Sequence, residues 1–256
     1  MMKRLLLFVV VMFVASVAAA QDVEFTADRP GASTGPTVVG HRVVQLEQGI
    51  QYDNDGSYGE FTFSNTLLRY GLFNGVELRL GGDGILYDRN RGESCVALPA
   101  AAFSGLSVGS KIRCFEGRGG IPAISLLVDL AIPHTGSEGF ATEHLAPSLH
   151  VLFENDVTDW FSVGYDVGVE WNGSTPMPEA FVALCLGFAP TERLGCFVES
   201  YNYFTSDSDV YGIDFGLSYM VAERVQLDLA ADINVCNPKQ WALSFGVAWQ
   251  INNPLR

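Results

Sequence analysis

Apolar and polar residues alternate along most of the chain after residue 40. Between residues 224 and 234, for example, Leu227 and Leu229 alternate with Gln226 and Asp228. Successive side chains of an extended strand point to opposite sides, so this period of two predicts strands with one apolar and one polar face. Helical periodicity is hard to find in the same region. The pattern therefore predicts an all-β fold.

Alternating segments recur about twelve times along the chain. They lie near residues 41–52, 60–70, 75–86, 102–114, 122–132, 144–155, 159–171, 179–188, 193–203, 210–220, 224–234 and 240–251. Many reach the ~9–11 residues that a tilted transmembrane strand needs. The segments at 60–70 and 193–203 alternate poorly, and the sequence does not assign their faces.

The connections between these segments alternate in length. Most of those after even-numbered segments are short, near residues 71–74, 115–121, 156–158, 189–192 and 221–223. Those after odd-numbered segments are generally longer and rich in Gly, Ser, Asp, Asn and Pro, near residues 53–59, 87–101, 133–143, 172–178, 204–209 and 235–239. Outer-membrane barrels have short periplasmic turns and longer external loops in this way. An even strand count places both chain ends on the periplasmic side.

The composition is unusually hydrophobic for a chain with this much charge. Hydrophobic residues make up 48% of the chain and aromatic residues 12%, beside a net charge of −14. A soluble sandwich or lipocalin-like barrel would also alternate, but its apolar face fills a core. Here many polar faces carry Gly, Ala and Ser beside the charges, which suits a crowded aqueous lumen with bulky residues facing lipid. We therefore expect a closed antiparallel transmembrane β-barrel of about twelve strands in the bacterial outer membrane, because an open edge finds no water in hydrocarbon.

The first twenty residues have the order of a secretory signal peptide. Lys3 and Arg4 precede the apolar run Leu5–Val14, and small residues end in Ala18–Ala20. We expect cleavage after Ala20. The predicted division is a signal peptide at 1–20, a periplasmic lead-in at 21–40 and the barrel at 41–256.

Charge and residue spacing limit the partners. A surface this acidic repels the phosphate backbones of nucleic acids. The expected partners are therefore outer-membrane lipid and small solutes rather than nucleic acid. The sequence has no phosphate-binding glycine loop, and no cofactor is expected. No metal is expected either, because the histidines have no metal-ligand spacing. They are His41, His134, His144 and His150.

The cysteines have no CxxC spacing and are odd in number. They are Cys95, Cys114, Cys185, Cys196 and Cys236. The simplest interpretation is that most are small, packed residues. The alternative is a disulfide between Cys185 and Cys196, which flank the turn at 189–192 symmetrically.

Charged residues on the polar faces are the candidates to line the lumen. They are Glu47, Glu77, Arg79, Lys111, Arg113, Asp129, Glu154, Asp166, Glu170, Asp214, Asp228 and Asp232. More are acidic than basic, which predicts a mild preference for cations. The alternative is that they pair across strands and fill the interior.

The residues before the first strand offer a second group of candidates. Asp28 and Arg29 precede the turn-forming pair Pro30 and Gly31 and could dock into the periplasmic mouth. A flexible lead-in is the alternative.

A third possibility is a barrel hydrolase. Ser148 and His150 share a strand face, with Glu154 farther along it. A serine nucleophile needs a base within hydrogen-bond reach and a third group that orients the base. Polar lumen residues predict the same arrangement without catalysis, so we do not expect an enzyme.

Ten short motifs resemble a known family. In chain order they are Phe25–Gly31, Gly40–His41, Leu46–Glu47, Asn65–Leu72, Val76–Leu80, Gly109–Ile112, Pro133–Gly136, Ala146–Leu149, Phe161–Trp171 and Asp214–Tyr219. Their order resembles the outer-membrane family named for the meta-pathway of phenol degradation, over nearly the whole mature chain. The resemblance implies a porin-like barrel and, more loosely, transport of small organic solutes.

The sequence thus favours an outer-membrane channel or transporter that passes small solutes, including organic or aromatic compounds, by passive diffusion. A barrel of this size should be narrower than general porins of roughly 16–18 strands. The alternatives are a non-conducting ligand-binding or structural barrel and the barrel hydrolase.

Overall fold

A computed structural model describes residues 25–55, 59–87, 101–205 and 209–251. The predicted signal peptide and Cys95 lie outside these residues. The strands are β1 (Val44–Asn54), β2 (Gly59–Phe73), β3 (Val76–Tyr87), β4 (Ala101–Phe103), β5 (Ser107–Arg118), β6 (Ile121–Ala131), β7 (Ala146–Thr158), β8 (Phe161–Glu170), β9 (Glu179–Phe188), β10 (Leu194–Phe204), β11 (Val210–Ala222), β12 (Val225–Asn234) and β13 (Trp241–Ile251).

The segments β4 and β5 are two halves of one barrel strand, because both pair with β3. The break between them centres on Gly105, whose φ is 113°. Glycine adopts this angle readily, whereas other residues would be strained there. The loop after β6 packs on the break, and Thr135 Oγ1 accepts the Leu106 N–H at 2.9 Å. The barrel therefore has twelve strands, which confirms the predicted fold class.

The sheet closes on itself. Neighbouring strands in the chain pair antiparallel throughout, and β1 completes the ring by pairing with β13 along its whole length, from Val44 opposite Ile251 to Asn54 opposite Trp241. At one end the strands join through short turns such as Asn74–Gly75 and Gly119–Gly120, and the longer loops lie at the other end. No helix in the described ranges is long and apolar enough to cross a membrane.

Burial is inverted relative to a soluble protein. Phe215 and Leu229 are 54% and 53% exposed on the outer face, whereas Asp214 and Asp228 next to them are 4% and 2% exposed. Large apolar side chains in this number would associate or aggregate in water. On a closed barrel they form the lipid-facing surface of a transmembrane protein, with the polar face enclosed.

The two poorly alternating segments are also barrel strands, and each carries a buried charge. Irregular pairing shifts the register of β2 twice, and its Arg69 is fully buried. On β10, Glu199 is 1% exposed and follows the inward aromatic ring of Phe197, which lies against Gly31. Bulges and inward aromatic rings explain why a simple count of apolar residues fails here.

The disulfide alternative is wrong. The register of β9 and β10 places Cys185 opposite Glu199 and Cys196 opposite Phe188, so the two thiols are not partners. Both cysteines are free, as are Cys114 and Cys236.

Candidate functional site: the lumen and the segment inside it

Residues 25–39, named here the lead-in segment, run through the interior of the barrel. Their backbone N–H groups have no neighbouring strand, and carboxylates of the wall accept six of them instead. Glu47 accepts those of Asp28 and Arg29 at 3.1 Å each. The other four bonds run from Ala32 to Asp214 (3.1 Å), from Ser33 to Glu199 (2.9 Å), from Thr34 to Asp166 (3.3 Å) and from Val39 to Glu77 (2.8 Å). The acidic residues of several strands therefore hold the segment across the lumen.

The carbonyl groups of the segment are held by the opposite kind of partner. Lys111 Nζ donates to the carbonyl oxygens of Gly35 (2.9 Å) and Thr37 (3.2 Å). The hydroxyl of Ser125 donates to the carbonyl of Pro36. Donors and acceptors of the segment are thus both satisfied by side chains on the barrel wall.

Asp28 lies at the centre of three cations. Its carboxylate is 2.7 Å from Lys111 Nζ and 3.2 Å from Arg69 Nη1, and it also forms an ion pair with Arg79. Burial opposes ionisation of Asp28, but the nearby charges of Arg69, Lys111 and Arg79 hold its pKa well below the ordinary value. The carboxylate is therefore charged, and it ties the lead-in segment to β2, β3 and β5.

Arg69 links this cluster to two further carboxylates. Its guanidinium binds Glu77 through two hydrogen bonds of 2.9 and 2.8 Å and Glu47 through one of 2.9 Å. All three side chains are fully buried. Together with Asp28, Arg79 and Lys111 they form a buried network of three acids and three bases, named here the ion cluster. Balanced charge makes such burial tolerable.

Arg29 occupies a cradle made by two glycines. Gly49 of β1 and Gly246 of β13 face each other across the strand pair, and a Cβ on either would overlap the Arg29 guanidinium. The guanidinium donates to Asn65 at 2.9 Å and pairs with Asp228 at 3.2 Å. Since both glycines lie at the middle of their strands, Arg29 reaches deeper than the predicted mouth.

The lead-in segment leaves a cavity on each side. The cavity toward the long loops, named here the long-loop chamber, has a volume of about 360 Å³ and is floored by Pro30–Ala32. The cavity toward the short turns, named here the short-turn chamber, has a volume of about 480 Å³ and includes Glu154, Asp156 and Gln226. The segment thus divides the lumen rather than filling it.

Most of the predicted lumen residues contact the lead-in segment or face a chamber. The segment or its ion cluster contacts Glu47, Glu77, Arg79, Lys111, Asp129, Asp166, Asp214 and Asp228. The chambers are lined by Glu154 and Asp232, Glu170 contacts His150, and Arg113 pairs with Glu116. That these residues line a conduction path stays a prediction.

His150 is held between two carboxylates. Its Nδ1 lies 2.7 Å from Asp166 and its Nε2 lies 3.1 Å from Glu170. Gly168, opposite on β8, makes room for the imidazole ring. Because both ring nitrogens are engaged, neither is left to take a proton from Ser148.

Sequence reasoning missed several residues that hold the segment. The main ones are Gln45, Arg69, Ser125 and Glu199. Arg69 and Glu199 lie on the strands whose faces the pattern does not assign. Gln45 follows the regular alternation of β1 and could have been included with its neighbour Glu47. Within the described part of the chain, no group of three or more His, Cys, Asp or Glu side chains is arranged to hold a metal ion.

Comparison with known proteins identifies the family. The family model described as "Putative MetA-pathway of phenol degradation" matches residues 27–251. The chain belongs to this family. The match confirms the resemblance and includes the inward residues Asp28 and Arg29 as well as every strand. No curated protein is significantly similar to the chain in sequence.

Solved structures with the same fold are outer-membrane channels. An outer membrane channel from Pseudomonas putida F1 superposes with a TM-score of 0.66 at 10% identity, covering 91% of this chain and 100% of that one. The KdgM porin gives a TM-score of 0.58 at 11% identity, covering 81% and 99%. The NanC porin gives 0.57 at 9% identity, covering 80% and 100%. At these identities the likeness establishes the fold.

Proposed function

We propose that the protein is an outer-membrane channel that passes small solutes by passive diffusion. The observation that carries the proposal is the closed ring of twelve strands with apolar side chains outside and charged side chains enclosed. Such a surface requires a bilayer, and an interior lined by polar and charged side chains is suited to water and to solutes that enter with it. The fold shared with a Pseudomonas putida channel and two porins supports the same function.

The lead-in segment sets the width of the path. It crosses the lumen at mid-height and leaves one chamber on each side, so a solute has to pass between the segment and the wall. Only small molecules fit such a path, in contrast to the wide lumen of larger porins. The description of the family links it to phenol degradation, which supports small aromatic compounds among the solutes.

The charges along this path favour cations. The bases Arg29, Arg69, Arg79 and Lys111 are all paired with carboxylates. Acidic residues such as Asp232 and Asp156 face the chambers without an ion pair to any described base. Unpaired carboxylates in a pore concentrate counter-ions.

Conductance in a planar bilayer under a salt gradient tests the proposal. We expect discrete current steps and a reversal potential that favours the cation. The double variant Asp156→Asn, Asp232→Asn should still conduct, but with a weaker preference for cations. A heat-modifiable barrel that gives no current would instead support the ligand-binding alternative, which the segment across the lumen favours.

A further inference from the structure

The long-loop chamber has one sign of charge. Among its lining residues are the carboxylates Asp53, Asp214 and Asp232, and none of the lining residues is a lysine, an arginine or a histidine. Asp53 accepts a hydrogen bond from Gln51, and Asp232 accepts one from the hydroxyl of Tyr201 at 3.3 Å. None of the three forms an ion pair with a base in the described residues. The chamber therefore contains three carboxyl groups and, among its described residues, no base that pairs with them.

Asp214 supplies an independent sign that a partner is missing. The residue is 4% exposed and lines the chamber, and its Oδ2 accepts the Ala32 N–H at 3.1 Å. Its Oδ1 is buried without a hydrogen-bond partner in the described structure. Buried polar atoms in proteins are nearly always paired. Two donors can reach this oxygen: a proton shared with Glu199, which lies directly opposite Asp214 on β10, and a group bound in the chamber.

Aromatic rings form another wall of the chamber. Tyr201 lies over Gly212 of the neighbouring strand, where any Cβ would overlap its ring. The ring of Tyr203 stands edge-on to that of Tyr201 at 6.3 Å and packs on Phe181 at 4.9 Å. The glycine and this packing hold both tyrosines in place beside the carboxylates.

Small side chains complete the cavity. Ala230, Ala242 and Ser244 line the side formed by β12 and β13. A volume of about 360 Å³ is within the range of small-molecule sites, roughly 300–1,000 Å³. Carboxylates, tyrosine faces and a restricted volume are the features that select an organic cation over an inorganic one, because the faces attract both the charge and the apolar body.

We propose that the long-loop chamber binds small organic cations, in which an ammonium group is attached to a compact aromatic or aliphatic body. The ammonium group would lie near Asp214 and Asp232, and the body would contact Tyr201 and Tyr203. The inference names a substrate class for the channel and so rests on the proposed function, but binding in the chamber does not require conduction.

Calorimetric titration of the purified, detergent-solubilised barrel tests the inference. The probe is phenethylammonium, and the neutral control of the same shape is 2-phenylethanol. We expect saturable binding of one phenethylammonium per barrel, at least tenfold tighter than that of the alcohol. Equal affinity for the two compounds, or no saturable binding of the cation, would overturn the inference.

Variants locate the site. Asp232→Asn should weaken phenethylammonium binding about tenfold, which corresponds to about 1.4 kcal/mol. Tyr201→Leu should weaken it about threefold through loss of the ring face. The matched control is Asp156→Asn, the same substitution in the short-turn chamber, and it should leave the affinity unchanged. An unchanged affinity in Asp232→Asn would place the cation elsewhere and contradict the inference.

Two further measurements separate the possible failures. Asp214→Asn should also weaken binding, and heat-modifiable mobility shows whether this variant still folds. If it does not fold, Asp232→Asn still tests the site. Bilayer conductance of the same preparation tests the channel independently. Current without amine binding overturns only the chamber assignment, whereas amine binding without current supports it and overturns the diffusion channel.

Discussion

At the scale of single residues, the ion cluster is the feature on which the interior depends. Arg69 is fully buried and holds Glu47, Glu77 and Asp28 at once. Removing a charge from such a network leaves the others buried and unpaired, which costs more than the network itself contributes. Arg69 therefore stabilises the interior through the three carboxylates that it binds.

Arg69→Met should lower the free energy of unfolding by about 3–5 kcal/mol, the cost of leaving buried carboxylates without their partner. Arg113→Met is the matched control, because the one ion pair of Arg113 among the described residues is with the half-exposed Glu116, and such pairs contribute about 0–1 kcal/mol. Urea unfolding in lipid vesicles measures both. Equal effects of the two substitutions would show that the cluster is not the critical set of charges.

The sequence predicts four of the six members of this cluster. Glu47, Glu77, Arg79 and Lys111 follow the alternation of regular strands and are therefore candidates from the pattern alone. Arg69 escapes it because two register shifts disturb β2. The role of Asp28 escapes it for another reason: a segment without periodicity gives no sign of which surface it will contact.

At the scale of elements, the lead-in segment is held by side chains of the barrel wall rather than by backbone pairing with a strand. It has no strand partner, and its N–H and carbonyl groups bind side chains from strands all around the ring. A strand in this position would need a neighbour on each side, whereas an irregular segment can follow the unequal spacing of the carboxylates. The sequence prediction of a lead-in at 21–40 includes the segment without locating it in the lumen.

Deletion of residues 25–36 should raise the single-channel conductance several-fold, because it removes the partition between the two chambers. Single-channel recording measures the change, and heat-modifiable mobility checks that the barrel is closed. Arg29→Ala is a milder companion that frees the segment only from Asn65 and Asp228. A folded deletion variant with unchanged conductance would contradict the idea that the segment limits the path.

The strands themselves are largely predictable, and their exceptions have local causes. The predicted segment 102–114 appears as β4 and β5, because Gly105 and the Thr135 loop interrupt it. The alternative pairing of Cys185 with Cys196 fails, because symmetric spacing about a turn does not determine its centre. Period two determines the faces of a strand, whereas register depends on turns and bulges.

At the scale of the whole molecule, the outer surface is adapted to a bilayer. Exposed apolar side chains cover the strands on every side of the ring, and the polar groups of the backbone are satisfied by the closed ladder. Alternation alone does not tell a membrane barrel from a soluble one. The small and charged residues on the polar faces are what make the distinction, because they cannot fill an apolar core.

Leu229→Arg should destabilise the barrel folded in lipid by about 2–4 kcal/mol, since Leu229 faces outward at the middle of β12. Val221→Arg, an outward position at the short-turn end of β11, should cost only about 0–1 kcal/mol. Equilibrium folding into vesicles measures both. Similar costs would mean that Leu229 does not lie at the centre of the bilayer.

The glycine cradle of Arg29 also dictates an order of assembly. Gly49 belongs to the first strand and Gly246 to the last, so the cradle does not exist until the two ends of the sheet have met. The lead-in segment leaves the ribosome before any strand, yet it can only take up its final position after the last strand has docked. The segment that precedes the first strand in the chain is therefore placed after the last strand, and Arg29 then lies against both strands of the closed seam from inside.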